Sequence, residues 1–149
     1  MEALIREAQT EDFVGVFALV LELREHFEDH KLVDKEGLLA IYERFLEHDD
    51  RYVYVAETGG SIIGLMSLTI GASLYDHKPY VVIDELVVNA AHRGQGVGKR
   101  LVDEAFSRAV ERGCGEVCVD TTTSNEGALR FYREHGFDHE SVMLEKELE

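Results

Sequence analysis

The chain has 149 residues, 45% of them hydrophobic and 30% charged, which suits one globular domain over 1–149 with a real core. Thirty acidic residues against fifteen basic ones give a formal net charge of -15, which repels phosphate backbones and anionic lipid and so argues against nucleic acid and membrane as partners. The first residues, MEALIREAQTEDF, lack the long apolar core of a signal peptide, and no apolar run approaches spanning length, so the cytoplasm is the expected compartment.

In chain order, residues 3–8 read as a short strand, and Thr10 reads as the cap of a helix with Glu11 and Asp12 in its first turn. Phe13, Val16, Phe17, Val20, Leu21 and Leu23 give that helix its buried face. The chain then turns polar at ELREHFED. His26 and His30 stand four apart, but a zincin helix needs Glu directly after the first His, and Phe27 is there. No metal site is expected. A solvated helix face or an acidic rim toward a substrate fits better, with Glu22, Glu25, Glu28 and Asp29 supplying the charge.

Asp34 caps a second predicted helix with Leu38, Leu39, Ile41, Tyr42, Phe45 and Leu46 on its apolar side. Tyr52 to Glu57 and Ile62 to Ile70 form a hairpin about Gly59-Gly60, where positive φ is required. The loop that follows carries Tyr75 and His77, either exposed or adjoining a site, and passes through the single proline, Pro79. Gly98 to Arg112 repeats apolar residues at helical spacing and closes at Gly113. Glu116 to Thr121 reads as a strand parallel to the one before that helix, because a crossover helix joins them. Cys114 and Cys118, four residues apart on extended chain, are separated by roughly 13 Å and cannot bridge each other. Residues His139 to Leu148 offer a last strand or strand pair. The sum is an α/β mixed sheet of about six or seven strands flanked by about four helices.

The chain is organised around Tyr80 to Leu101, YVVIDELVVNAAHRGQGVGKRL. Val81 to Val88 is a nearly unbroken apolar run suited to a buried strand, interrupted only by Asp84 and Glu85. Adjacent carboxylates in such a strand point to opposite faces, so at least one borders a site. Gly94, Gly96 and Gly98 then let the backbone approach a ligand, and the helix that starts there offers free amides and its positive dipole end to an anion such as a pyrophosphate. A Walker loop needs a glycine five residues before the Gly98-Lys99 pair, where Arg93 stands. A Rossmann turn needs G-x-G-x-x-G, whereas the loop reads G-x-G-x-G, although Asp120 mimics the ribose-binding acid.

The loop matches R/Q-x-x-G-x-G/A after a strand. A second segment, NEGALRFYREHGF from Asn125 to Phe137, opens with a helix-capping Asn and carries Tyr132 on its apolar stripe. Standing about one βαβ unit apart in this order, the two segments make the chain resemble the GNAT superfamily of N-acetyltransferases along its whole length. The resemblance implies acetyl-CoA as co-substrate. Leu86, Val87 and Val88 would pair with the pantetheine arm. Arg93, Gly94, Gln95, Gly96, Val97, Gly98 and Lys99 would hold the pyrophosphate, with Asn125 and Tyr132 in the second motif. Tyr132 is the expected acid for the departing thiolate, and Glu85 or Asp84 the expected base, a bulge deciding which of them faces the site. The family often has proline shortly before the loop; Ala90-Ala91 stands here.

On the acceptor side the chain is similar to aminoalkylphosphonate and aminoglycoside N-acetyltransferases, which implies direct transfer to a small-molecule primary amine and admits a homodimer. His26, Glu28, His30, Tyr75 and His77 are the candidates to contact that amine. Acetylation of a protein lysine or N-terminus, and a non-catalytic acyl-CoA-binding module, are the alternatives.

Overall fold

The structure is a computed structural model that describes residues 2–25 and 34–148. Its elements are β1 (Leu4–Glu7), α1 (Phe13–Arg24), α2 (Lys35–Glu47), β2 (Arg51–Thr58), β3 (Ser61–Ala72), β4 (Pro79–Val88), α3 (Val97–Glu111), β5 (Glu116–Val119) and α4 (Glu126–Glu134). The strands form one sheet in sequence order. Pairing is antiparallel from β1 to β4 and parallel between β4 and β5, as the α3 crossover requires.

The mixed sheet with four flanking helices is the architecture expected. Two details differ. The first helix starts at Phe13, after a 3-10 turn over Thr10–Asp12, and the cap position is Gln9 rather than Thr10. Asp12 decides this by accepting the Gln9 amide at 2.7 Å, while Arg6 holds Asp12 at 2.8 Å and Glu57 at 2.9 Å, tying β1, the turn and β2 together. Second, the described residues make five strands rather than six or seven, because no ladder forms along 139–148.

The core lies on both faces of the sheet. On one face Val97, Leu101, Ala105 and Ala109, spaced by four along α3, meet Tyr54, Met66, Leu68, Val81 and Ile83. On the other, Phe13, Val16 and Leu19 of α1 and Tyr42 of α2 meet Val53, Val55, Leu65 and Val87. Leu101 is fully buried, so truncating it to alanine costs about 2–5 kcal/mol.

β4 changes face along its length. Val81 and Ile83 belong to the α3-side core, whereas Val87 belongs to the α1-side core. An even spacing of residues allows that only if one residue is extra. The pairing with β3 steps from Ile83↔Leu68 to Glu85↔Ser67, leaving Asp84 as the bulge.

Candidate functional site

β4 pairs with β5 only from Tyr80 to Ile83, while its pairing with β3 continues to Val88. Beyond the bulge, the edge of β4 that faces β5 therefore has no strand partner among the described residues. A cleft of about 800 Å3 opens there. Asp84 to Val88 form one wall, Val119 to Thr122 with Asn125, Ala128, Phe131 and Tyr132 form the other, and the glycine loop closes the end.

The loop is held from two sides. Glu22, in the last turn of α1, accepts from the Ala90 amide at 2.9 Å, from Asn89 Nδ2 at 2.9 Å and from Arg93 Nη2 at 3.1 Å. Arg93 Nε also donates to the Val88 carbonyl at 3.0 Å. Gly94 and Gly96 take φ of 77° and 83°, the left-handed region that glycine favours, and open space lies where a Cβ would stand on either. Gly98 acts differently: a Cβ there would meet the Phe131 ring at 3.3 Å, so this glycine lets α4 close over the start of α3. No side chain among the described residues caps the α3 N-terminus, which lines the cleft with its first-turn amides.

At the middle of β4 the two carboxylates divide. Asp84 is exposed and accepts from Thr69 Oγ1 at 2.5 Å. Glu85 accepts from Ser67 Oγ, which is 5% exposed and the one buried polar residue among those described. Burial pushes the Glu85 carboxyl above its ordinary range; the Ser67 hydrogen bond lowers it, the Asp84 charge raises it and Arg51 lowers it. Across the cleft, burial pushes the Tyr132 phenol up to about 12. Its ring rests edge-on against Phe131 and Phe137, with centroids at 5.3 and 5.5 Å. Asn125 Oδ1 caps α4 by accepting the Ala128 amide at 3.1 Å.

The structure brings Asp84, Glu85, Leu86, Val87, Val88, Arg93, Gly94, Gly96, Val97, Gly98, Lys99, Asn125 and Tyr132 to one cleft. Lys99 is also paired with Asp103 at 2.8 Å. Gln95 stands apart, lining a smaller pocket of about 340 Å3 with Arg100. Tyr75 and His77 lie exposed in the β3–β4 loop, at the Pro79 end of β4 and outside the cleft lining. His26, Glu28 and His30 lie outside the described residues, as does Asp29 of the expected acidic rim. Glu22, expected on that rim, is committed to the loop.

The holding roles of two residues, Glu22 and Ser67, escaped sequence reasoning. Glu22 had a signal: a carboxylate in the last turn of a helix opposes the dipole, which points to a partner elsewhere. Ser67 had one too, as a hydroxyl that with Thr69 breaks the apolar run of β3. Cys114 and Cys118 are both free thiols. Among the described residues no group of three or more His, Cys, Asp or Glu could hold a metal.

The acetyltransferase (GNAT) family model matches residues 3–137. An N-acetyltransferase of Archaeoglobus fulgidus is 30% identical over 131 residues, 86% of this chain and 88% of the relative. Aminoalkylphosphonate N-acetyltransferase of Salmonella typhimurium is 29% identical over 97% of this chain and 90% of its own. The solved structure of aminoglycoside N-acetyltransferase AAC(6')-Iy in complex with CoA is similar in fold, with a TM-score of 0.84 at 22% identity over 97% of this chain and 94% of that one.

Proposed function

The chain belongs to the acetyltransferase (GNAT) family, and we propose that it moves an acetyl group from acetyl-CoA directly to the primary amine of a small molecule, with both bound in the cleft. The observation that carries this reading is the continuous cleft along the unpaired edge of β4, with an anion cradle at one end and Glu85 and Tyr132 farther along.

The residues fit the co-substrate. Open space beside Gly94 and Gly96 leaves room for a pyrophosphate against the α3 amides, and the free edge of Leu86 to Val88 leaves backbone groups for an amide-bearing arm. Bound acetyl-CoA supplies an activated acyl group and a thiolate leaving group. Glu85 takes the amine proton, directly or through one water, and its raised pKa makes it a stronger base than an exposed carboxylate. A β4 amide on the unpaired edge donates to the carbonyl oxygen as charge builds there. Tyr132 stays protonated at neutral pH and donates its hydrogen bond to the departing sulfur. A phenol at about 12 does not yield its proton fully to a thiolate whose acid lies near 8.5, so solvent completes that step.

Charge along the cleft supports an acceptor that is cationic. Arg93 and Lys99 stand at the loop end, whereas Asp84, Glu85 and Asp120 stand where the acceptor would meet the acyl group. The Salmonella relative's name supports a small-molecule acceptor of a different charge. No helix among the described residues is long and apolar enough to cross a membrane; the cytoplasm remains our proposed compartment, and a homodimer our proposed assembly.

The test is thiol release from acetyl-CoA against a panel of cationic amines, aminophosphonates and lysine or N-terminal peptides, at low and high salt. We expect turnover with cationic small amines and a kcat/KM that falls as salt rises. Preference for aminophosphonates would overturn the charge assignment alone. Turnover with peptides only would favour protein acetylation, and acetyl-CoA binding without turnover a non-catalytic module.

A further inference from the structure

On a regular strand Asp84 and Glu85 would point to opposite faces; the bulge puts both on one. Asp84 keeps the face of Val82, which pairs with Thr69, and Glu85 takes the face of Val87, which pairs with Leu65. Leu65, Ser67 and Thr69 share one side of β3. The side-chain contacts agree: Thr69 Oγ1 donates to Asp84 Oδ2 at 2.5 Å, and Ser67 Oγ donates to Glu85 Oε2. A hydroxyl has one proton to give, so each of the two serves one carboxylate. Without such separation, like charges side by side share a proton and titrate in two coupled steps, and neither has a proton affinity of its own.

Arg51 breaks the symmetry of the pair. It opens β2 opposite Thr69, and its Nη1 donates to Thr69 Oγ1 at 3.4 Å, a long contact in which Thr69 accepts because its own proton is given to Asp84. The guanidinium lies over the Phe45 ring of α2, 4.6 Å from the centroid, so the helix that packs on this face fixes its place. A line from Arg51 through Thr69 to Asp84 thus crosses three strands beside the Ser67 and Glu85 pair. Beyond burial, which raises the Glu85 pKa, and the Ser67 bond, which lowers it, the charges that bear on this carboxyl are Asp84, which raises it, and Arg51, which lowers it. From α1 and α2 the face receives Leu19, Leu23, Phe45 and Tyr42, whose phenol donates to the Gln9 carbonyl and stays protonated at about 12. Asp120 and Tyr132 stand on the other wall of the cleft.

We propose that Arg51 and Thr69 are positioning residues of the reaction: they pin Asp84 as a fixed anion, so that of the two carboxylates on this face only Glu85 takes and returns the proton. The proposal rests on the reading of Glu85 as base. In that step an amine N–H bond breaks, its proton passes to Glu85, and its electron pair becomes free to attack the thioester carbonyl.

Carbon-13 titration of the side-chain carboxyls in the full chain, without acceptor, tests the arrangement, with Glu85→Gln and Asp84→Asn assigning the two signals. We expect Glu85 to titrate in a single step in the parent. Arg51→Gln should move that midpoint up by about half a pH unit, and Thr69→Val should spread it into two steps. Arg51→Lys and Thr69→Ser should restore the parent curve. Because the base must be deprotonated, the acidic limb of kcat/KM should follow upward: roughly threefold lower activity below the limb for Arg51→Gln, and none lost above it. If Arg51→Gln does not fold, Thr69→Val carries the test. In a protein that turns over, a Glu85 curve unchanged in both variants, or a loss of kcat/KM equal at every pH, would overturn the proposal and leave the reading of the base intact. Absence of turnover with every amine would overturn both.

Discussion

Ser67 Oγ donates to Glu85 Oε2 across the β3–β4 ladder, at the point where the Asp84 bulge turns Glu85 toward the α1 side of the sheet. Buried Ser67 therefore holds the carboxylate that we assign as base, and it lowers a pKa that burial raises. The Ser67→Ala variant should shift the acidic limb of kcat/KM to higher pH. We expect about a tenfold loss below neutrality that shrinks on the alkaline side, the loss of one hydrogen bond to a charged group. Ser67→Thr should restore the profile. An unshifted limb would separate Ser67 from the base.

Glu85 itself makes a paired prediction. Its folded pKa lies above the unfolded value of about 4.3, so the folded state loses stability as pH rises from that value through the folded pKa. Glu85→Gln should therefore lose about a hundredfold or more in kcat yet raise Tm at pH 8, with no gain at pH 4. Asp84→Asn, at an exposed bulge position, should lose much less activity. If the Asp84 variant carries the larger loss, the two carboxylates exchange roles.

Tyr132→Phe keeps the contacts with Phe131 and Phe137 and removes the hydroxyl. The expected loss in turnover is about a hundredfold with acetyl-CoA affinity unchanged. Because the phenol titrates near 12, that loss should be constant across neutral pH. Turnover within about twofold of the parent would leave the sulfur to solvent alone.

The loop makes its own test. Gly96 is in the left-handed region and faces open space, so Gly96→Glu strains the backbone and puts a carboxylate where we place the pyrophosphate. Calorimetry should show acetyl-CoA binding lost in a protein that remains folded. Unchanged affinity would remove the cradle from the account.

Glu22 offers a test at the far side of the same loop. With three donors converging on it, Glu22→Ala should destabilise the fold by about 1–3 kcal/mol and weaken acetyl-CoA binding several-fold, because Ala90 and Arg93 lose their anchor. Equal stability and affinity in thermal denaturation and calorimetry would make the clamp incidental.

The sequence pattern carries the order from β2 to α4 well. Gly59 and Gly60 mark the hairpin turn with positive φ, the four-residue stripe of α3 marks its buried face, and the crossover helix imposes the parallel step. The bulge is a different matter. In a run apolar at every position but Asp84 and Glu85, alternation is lost, and the pairing with β3, Ser67 opposite Glu85, shows which residue is extra. Tyr75 and His77 show the cost of reasoning by neighbourhood in sequence. They adjoin β4 at Pro79, whereas the glycine loop follows Val88, about 30 Å away along the strand. For 139–148 the apolar residues Val142, Met143, Leu144 and Leu148 suggest a strand, but a strand exists only with a partner, and none pairs with this segment among the described residues.

Direct transfer in a ternary complex is tested by initial rates of thiol release with acetyl-CoA and amine varied together. We expect intersecting double-reciprocal lines and no thiol release before the amine is added. The free thiols are poor candidates for an acyl carrier, since burial raises the pKa of both Cys114 and Cys118. Parallel lines with a stoichiometric burst of thiol in the absence of amine would contradict it, showing that the acetyl group rests on the protein before it reaches the acceptor.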